Sequence, residues 1–171
     1  MTDQQTLSEA TIKPIAFEVV GTPATQGSKV EQVIRNRNGQ PIIKDGRALT
    51  TIREDNPRLA GWRQEVAQMA RAAYNGPLLI GAVAVTMTFY RPRPKSHFGT
   101  GRNEGRLKET AEEYPITRPD LLKLARAVED SCTGVLWVDD SQVVRETLVK
   151  DWGTFRVSVE VQSLDGRTRE D

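Results

Sequence analysis

The sequence predicts an α+β domain with a mostly antiparallel sheet and two main helices. Two stretches repeat apolar residues at steps of three and four, which is the period of an amphipathic helix. Other stretches alternate apolar and polar residues or are rich in β-branched residues, as strands are. In chain order the predicted elements are strand, long flap, helix, strand, loop, helix, strand and strand, an order typical of the α+β class.

The N-terminal part of the chain begins with a strand and a long flap. Residues 15–20 are mostly apolar and β-branched, and a glycine and a proline follow them closely. The flap, residues 22–56, lacks clear periodicity but contains an Asn-Gly pair at 38–39 and an Asp-Gly pair at 45–46. Both dipeptides favour tight hairpin turns. We therefore expect a partly ordered flap, and loops of this length are often functional.

Each of the two helices has a recognisable start. Asn56 and Pro57 are favoured at the cap and at the first helical position. Asp120, another preferred capping residue, opens the second helix, and Gly134 ends it. The apolar stripes are Leu59, Trp62, Val66, Met69, Ala70 and Ala73 in the first helix, and Leu121, Leu124, Ala125, Val128 and Cys132 in the second.

Three further strands are predicted around the second helix. Residues 82–90 alternate and contain many β-branched and aromatic side chains, so we expect this strand to be central. Residues 143–149 and 155–161 also alternate, and the short connection between them predicts an antiparallel hairpin. One domain is therefore expected over residues 15–163, with flexible tails at 1–14 and 164–171.

The composition excludes several classes of protein. Of the 171 residues, 37% are apolar and 27% are charged, as in a folded rather than a disordered protein. The single cysteine and single histidine exclude an internal disulfide and disfavour zinc-hydrolase and Ser–His–Asp chemistry. No apolar run approaches the ~20 residues of a membrane span, and no signal-peptide pattern opens the chain. We therefore expect a cytoplasmic protein without a membrane partner.

Positive charge is concentrated in one segment, although the formal net charge is only +1. Between Arg91 and Lys108 the chain carries a single acid, Glu104. Such a block is either a solvated loop or a phosphate-binding arm, and an acidic catalytic site nearby would favour the arm. The candidate DNA-binding residues of this basic loop are Arg91, Arg93, Lys95, Arg102, Arg106 and Lys108.

Acidic residues stand at both ends of the second helix. Asp120 opens the helix, and Asp139 and Asp140 lie between it and the next strand. A chain reversal after the helix is expected to bring these carboxylates together, where they would bind Mg²⁺ or Mn²⁺, ions that prefer oxygen ligands. Such an ion activates a water and stabilises the charge on a scissile phosphate. The alternative is structural: a helix cap at Asp120 and an exposed turn at Asp139 and Asp140.

Three runs of residues around these acids resemble a known family. Residues 118–130 read RPDLLKLARAVED, residues 133–135 read TGV and residues 139–144 read DDSQVV. Together they resemble the core signature of the RusA-type Holliday junction resolvases. Residues 89–97 and 21–28 resemble phage and prophage members of that family. The detailed match is confined to the three runs, and a looser match extends over most of the chain.

The resemblance implies a RusA-like nuclease that uses Mg²⁺ or Mn²⁺ to nick four-way junctions, with flaps and forks as further candidate substrates. It also implies a symmetric homodimer whose two sites cut two strands, acting in the host cytoplasm if the chain is phage-encoded. Asp120 matches the family's first catalytic acid and Asp140 its last, with Asp139 as the paired neighbour and auxiliary metal ligand. Arg126 stands where the family has a lysine near the scissile phosphate, and Lys123 is a further DNA-binding candidate.

One position departs from the family pattern. The family has a second Asp two residues after the first, and this chain has Leu122 there. At ~100° per residue Leu122 lies off the apolar stripe, beside Arg126 and Asp130. Since leucine cannot bind a metal, activity is weakened or absent, or another acid substitutes; the candidates are Asp130 and Glu129. Alternatively, Leu122 packs against the flap or a partner subunit, or it is an introduced substitution.

Two other functions remain open at this point. A catalytically inactive protein that binds branched DNA would follow if Leu122 abolishes metal binding, and it would bind without nicking. A protein-interaction module would follow if the basic loop binds an acidic partner, and it would not prefer branched over linear DNA.

Overall fold

The computed structural model describes residues 12–27, 29–54 and 56–169 of the chain. The helices are α1 (Leu59–Ala73) and α2 (Leu121–Cys132). Short 3₁₀ turns lie at Lys95–His97, Gly101–Asn103 and Asp140–Gln142. The strands are β1 (Ile15–Val20), β2 (Lys29–Val33), β3 (Ile43–Lys44), β4 (Arg47–Ala48), β5 (Thr50–Glu54), β6 (Val83–Arg91), β7 (Val143–Trp152) and β8 (Arg156–Ser163).

A four-stranded sheet in the order β1-β8-β6-β7 forms the centre of the fold. β8 pairs antiparallel with both β1 and β6, whereas β7 pairs parallel with β6. Two of the three pairings are therefore antiparallel. The predicted α+β class with a mostly antiparallel sheet is confirmed, and β6 has a neighbour on each side, as expected of a central strand.

The predicted hairpin between the last two strands is wrong. β7 and β8 lie on opposite sides of β6 and do not pair with each other. Their connection crosses the end of β6, where the Gly153 N–H donates to the Arg91 carbonyl at 2.9 Å. Alternation in a sequence identifies the buried face of a strand but not its neighbour. Because β6 is buried, both rows of its backbone polar groups need partners, and this split arrangement supplies them.

Both helices pack against one face of this sheet and enclose a single core. The predicted apolar stripes of α1 and α2 are largely buried there, although Met69 and Ala73 of α1 are exposed. The buried sheet residues are Ile15, Phe17, Val19, Val83, Val85, Met87, Phe89, Val157, Val159 and Val161. The buried apolar helix residues are Leu59, Trp62, Val66, Ala70, Leu124, Ala125, Ala127, Val128 and Cys132.

The flap forms a β-ribbon. β2 pairs antiparallel with β5, and β3 pairs antiparallel with β4. The turn between β3 and β4 has positive φ values of 51° at Asp45 and 75° at Gly46, as expected for an Asp-Gly hairpin turn. Arg35 bridges to Pro41 around the Asn-Gly pair. Both predicted turns are therefore present.

The C-terminal segment differs from the flexible tail that the sequence predicts. Residues 164–169 return along residues 78–82: the Leu164 N–H donates to the Ala82 carbonyl at 2.9 Å, and the Arg169 N–H donates to the Leu78 carbonyl at 2.7 Å. These backbone hydrogen bonds do not depend on apolar side chains, so a polar sequence does not reveal them. The domain therefore extends to residue 169.

The predicted N-terminal tail, residues 1–14, is mostly outside the described residues, which begin at Ile12. Ile12 is half-buried and packs against the core. In the described part of the chain, no helix combines the length and the apolarity that crossing a bilayer requires.

Candidate active site

Helix α2 and strand β7 run side by side in opposite directions and position most of the candidate residues. At the N-terminal end of α2, the Lys150 ammonium of β7 donates to the Pro119 carbonyl at 3.3 Å. At its C-terminal end, the Glu129 carboxyl group lies close to Glu146 of β7, in the same recess. Asp120 therefore lies at one end of this pair of elements, and the two glutamates lie at the other end.

Three acids form a carboxylate cluster at the C-terminal end of α2. Glu129, Asp140 and Glu146 line one open recess of about 390 Å³. Burial, the charge of Glu146 and the hydrogen bond with it, and the charge of Asp140 raise the pKa of Glu129 to about 7. Like charges at close range disfavour ionisation, and such perturbed acids in a cleft are typical of functional sites. The cluster therefore concentrates negative charge where a cation would be favoured.

The 3₁₀ turn before β7 gives its two adjacent acids different environments. The Asp139 carboxylate accepts the Ser141 N–H at 2.9 Å and caps the turn. Hydrogen bonds from Ser141 lower the pKa of Asp139, so this carboxylate stays ionised as the turn's cap. Asp140 instead belongs to the carboxylate cluster. The structural interpretation therefore applies to Asp139 more than to Asp140.

Gln142 is a residue whose role the sequence analysis missed. Its side-chain oxygen accepts the N–H groups of Val138 and Asp139, each at 2.9 Å. Its amide nitrogen donates to the carbonyls of Leu79 and Gly81, each at 2.9 Å, which ties the turn to the segment before β6. A glutamine three residues after a capping acid is the capping-box pattern, and this was the signal in the sequence.

Asp120 does not act as the helix cap that its position allows. Its side chain is exposed and, within the described part of the chain, makes no capping hydrogen bond. The backbone before it is anchored instead, because the Arg91 guanidinium donates to the Thr117 hydroxyl at 3.0 Å and to the Arg118 carbonyl at 2.6 Å. Lys150 adds a hydrogen bond to the Thr117 carbonyl at 2.9 Å. The backbone that leads into Asp120 is therefore held in place, and the exposed carboxylate of Asp120 is accessible to a ligand.

One chain does not bring Asp120 and Asp140 together, contrary to the expectation from the sequence. Asp140 lies beside Glu129, and the nine-residue step from Asp120 to Glu129 spans about 13 Å of helix. A Mg²⁺–oxygen bond is ~2.1 Å and the ions of a two-metal site are ~4 Å apart, so one centre cannot include both acids. The chain does reverse after α2, but β7 runs antiparallel to the helix and returns Asp140 to its far end.

One chain also lacks a preformed metal site among its described residues. Among the described residues, no group of three His, Cys, Asp or Glu side chains is arranged to hold an ion. The carboxylate cluster could supply only part of a coordination shell, and the other ligands would have to be water, phosphate or groups of a partner subunit.

Leu122 lies on the surface rather than in the core. Its side chain is 72% exposed, and Arg126 and Glu129 follow it at helical steps that place all three on one flank of α2. Of the two candidate substitutes for the missing acid, Glu129 belongs to the carboxylate cluster. Asp130 points to α1, where it forms an ion pair with Arg63. Glu129 is therefore the better-placed acid.

The basic loop contains some cations that hold the loop itself. The Arg93 guanidinium donates to the Glu112 carbonyl at 2.8 Å and lies 4.9 Å from the centre of the Trp152 ring. The Lys108 ammonium donates to the Ser96 carbonyl at 2.9 Å. These residues, like Arg91, were predicted to bind DNA, and the structure gives each of them a supporting role within the fold.

Other predicted DNA-binding residues are exposed and available. Within the described part of the chain, none of them has a side-chain hydrogen bond or ion pair. They are Lys95, Arg102 and Arg106 of the basic loop, and Lys123 and Arg126 of α2. Lys123 and Arg126 also line a recess of about 390 Å³ with Leu122.

Comparison with protein families decides which family this site belongs to. Residues 38–162 match the family model described as endodeoxyribonuclease RusA. The chain belongs to the RusA family. It is also 30% identical over 133 residues to the uncharacterized protein YqaN of Bacillus subtilis (strain 168). The aligned region covers 76% of this chain and 82% of YqaN. RusA membership confirms the resemblance around α2 and implies an endodeoxyribonuclease of the Holliday-junction-resolving class.

Proposed function

We propose that this RusA-family chain is a structure-selective endonuclease that nicks Holliday junctions and other branched DNA with Mg²⁺ or Mn²⁺, in the cytoplasm of the cell or of a phage host. The observation that carries the proposal is the carboxylate cluster around Asp140, which adjoins the flank of α2 that presents Arg126. An anionic site next to an exposed cation suits a metal ion and a phosphate together.

The donor set fits a hard divalent ion. Mg²⁺ and Mn²⁺ prefer carboxylate oxygens, and Mg²⁺ in particular keeps several waters and needs only one or two protein carboxylates beside a substrate phosphate. Asp140, Glu129 and Glu146 would supply those oxygens, and Asp139 would orient Asp140 through the capped turn. When bound, the ion would activate a water and neutralise charge on the scissile phosphate.

Protein side chains would carry the remaining roles. Arg126 would bind the scissile phosphate from the flank of α2, and Lys123 would bind a neighbouring phosphate. Lys95, Arg102 and Arg106 would hold the arms of the junction, because exposed cations on a loop can release counterions from several phosphates.

A homodimer would resolve the separation between Asp120 and Asp140. If both acids serve the same metal, as the RusA pattern implies, they would come from different protomers, because Asp140 lies beside Glu129 and Glu129 is about 13 Å along the helix from Asp120. The proposed dimer therefore combines Asp120 of one protomer with Asp140 of the partner subunit. A two-fold axis would produce two such sites, one for each of the symmetry-related strands of a junction.

Mixed dimers test this arrangement. Asp120→Asn and Asp140→Asn should each abolish junction nicking. After the two variants are unfolded and refolded together, a mixed dimer would contain one site with both acids intact, so nicking of one strand should return. As a control, Asp140→Asn mixed with the double variant should stay inactive. No recovery from dimers that demonstrably mix would contradict a site shared between protomers.

A second candidate function is supported by Leu122. Its side chain is exposed and stands where the RusA pattern has the second Asp, so the chain could bind branched DNA without cutting it. Junction binding without nicking in either Mg²⁺ or Mn²⁺ would favour this alternative.

A further inference from the structure

An apolar cavity opens beside the N-terminal end of α2, on the opposite end of the helix from the carboxylate cluster. Its volume is about 230 Å³. It lies where β6 and β7 end and β8 begins, and Pro119 in its wall directly precedes Asp120. The lining residues are Thr22, Pro23, Phe89, Tyr90, Arg91, Pro119, Leu124, Lys150 and Phe155.

The cavity has the size and the walls to receive one aromatic ring. Phe89 and Leu124 are 3% and 2% exposed, so they are fixed by the core. Phe155 is 38% exposed and forms a wall that reaches the surface. An engineered apolar cavity of ~150 Å³ binds benzene, so this larger cavity has room for a planar heterocycle.

Its polar groups suit a ligand that carries negative charge and hydrogen-bond acceptors. Arg91 and Lys150 place two cations in the lining. The Arg91 Nε is buried and, among the described residues, has no hydrogen-bond partner. Because this atom is closed off from solvent, a ligand in the cavity would contact other atoms of Arg91.

We propose that this cavity binds one unstacked nucleobase of the DNA strand, next to the phosphate that Asp120 helps to cleave. The proposal rests on the proposed function and adds a specificity site to it. In an open junction the base pairs at the crossover lack a stacking neighbour on one side, so extruding one of their bases would cost less than in a continuous duplex. Stacking on Phe155 would hold such a base, and its polar edge would lie toward Arg91 and Lys150 in the lining. The backbone phosphates beside the base would face the cations of the lining.

The proposal is tested by combining abasic sites in the DNA with substitutions in the cavity and measuring the affinity for the junction. Four-way junctions are made with a single abasic site at each position near the crossover, and binding is measured without divalent ions so that no strand is cut. For the wild-type protein, an abasic site at one of these positions should lower the affinity about 5- to 150-fold, the range expected for the loss of one base stack; abasic sites at the other positions should have little effect. Phe155→Ala should lose the same factor on the intact junction. With that variant, the abasic site should cost nothing further.

Two more variants complete the experiment. Thr22→Phe fills the cavity from its exposed rim and should behave like Phe155→Ala, which keeps the test valid if Phe155→Ala folds poorly. Leu164→Ala is the matched control, because Leu164 is also 38% exposed but lies beside the start of β6, far from the cavity. It should retain the full abasic penalty.

The outcomes separate the two proposals. The nucleobase site alone is overturned if the protein prefers and nicks junctions but no abasic position lowers its affinity. It is also overturned if the affinity losses from the abasic site and from Phe155→Ala or Thr22→Phe simply add. A protein that does not prefer junctions over linear DNA overturns the proposed function, and the nucleobase site with it.

Discussion

Replacing Glu129 by Gln should stabilise the protein at alkaline pH. The pKa of Glu129 is raised from 4.5 to about 7, so the folded state binds a proton more tightly than the unfolded state does. The stabilisation from that proton is complete below pH 4.5 and is lost as the pH rises through 7. A glutamine carries no charge at any pH and does not suffer this loss.

The size of the effect follows from the shift and from the exposure of the group. If fully expressed, a rise from 4.5 to about 7 corresponds to about 3 kcal/mol. Glu129 is only half-buried, so solvent screening reduces the expected gain to about 1 kcal/mol. For a domain of this size, that is about 2–4 °C in melting temperature.

Thermal melting over a range of pH measures this directly. Glu129→Gln should melt higher than wild type at pH 8.5, and the difference should vanish near pH 4.5. Added Mg²⁺ should raise the melting temperature of wild type more than that of the variant, because the ion relieves the same repulsion. Glu160→Gln, an exposed glutamate on β8, is the control and should show no such pH dependence. A difference for Glu129→Gln that is equal at both pH values would refute the reasoning.

Three further predictions concern the surface and the turn. Leu122→Asp should cost less than about 0.5 kcal/mol, because the position is exposed, and should increase nicking in a junction assay at Mg²⁺ or Mn²⁺ concentrations below saturation. Arg102→Ala combined with Arg106→Ala should reduce the slope of log affinity against log salt by about 2, measured by titration at several salt concentrations. Gln142→Ala should destabilise the protein by about 2–4 kcal/mol in urea melts and abolish nicking, because four hydrogen bonds around Asp140 are lost.

Each of these predictions has an outcome that contradicts it. Unfolding of Leu122→Asp without a gain in nicking would place Leu122 in an interface or core. An unchanged salt slope would mean that the two loop arginines do not contact phosphates. The matched control pair is Arg58→Ala, just before α1, with Arg71→Ala in α1, which should leave the slope unchanged. Normal nicking by a destabilised Gln142→Ala variant would mean that the turn does not position Asp140.

The sequence predicted individual elements better than their arrangement. The apolar stripe of α2 and the alternation of β1 report directly which face each element buries, so their bounds could be read from the chain. Alternation says nothing about which strand lies alongside, so β7 and β8 were expected to pair with each other when β6 in fact separates them. The C-terminal residues 164–169 were missed because their pairing is made by the backbone.

The candidate site shows the same limit. Asp120 and Asp140 were identified from the family signature, but their separation depends on the direction of β7 relative to α2, which no local pattern encodes. Glu146 was missed entirely, although it had a signal. It pairs with buried Val85 in the sheet register and therefore faces the core side of β7. Its side chain stays exposed because β7 is an edge strand, and an acid in phase with the half-buried Leu148 was the signal in the sequence.

Two other acids, Glu129 and Glu146, would compensate for the family acid that is absent at position 122. In the proposed dimer, each site would contain Asp120 from one protomer and the carboxylate cluster of the other. That combination already supplies four carboxylates, more than the one or two that Mg²⁺ usually takes from a protein. An additional acid at Leu122 would add to the repulsion that raises the pKa of Glu129. With Glu129 and Glu146 the proposed site would have an adequate donor set, so Leu122 alone does not argue against catalysis. The cluster makes nicking in the wild-type chain the expected result, and Leu122→Asp a variant that changes metal affinity more than it changes the chemistry.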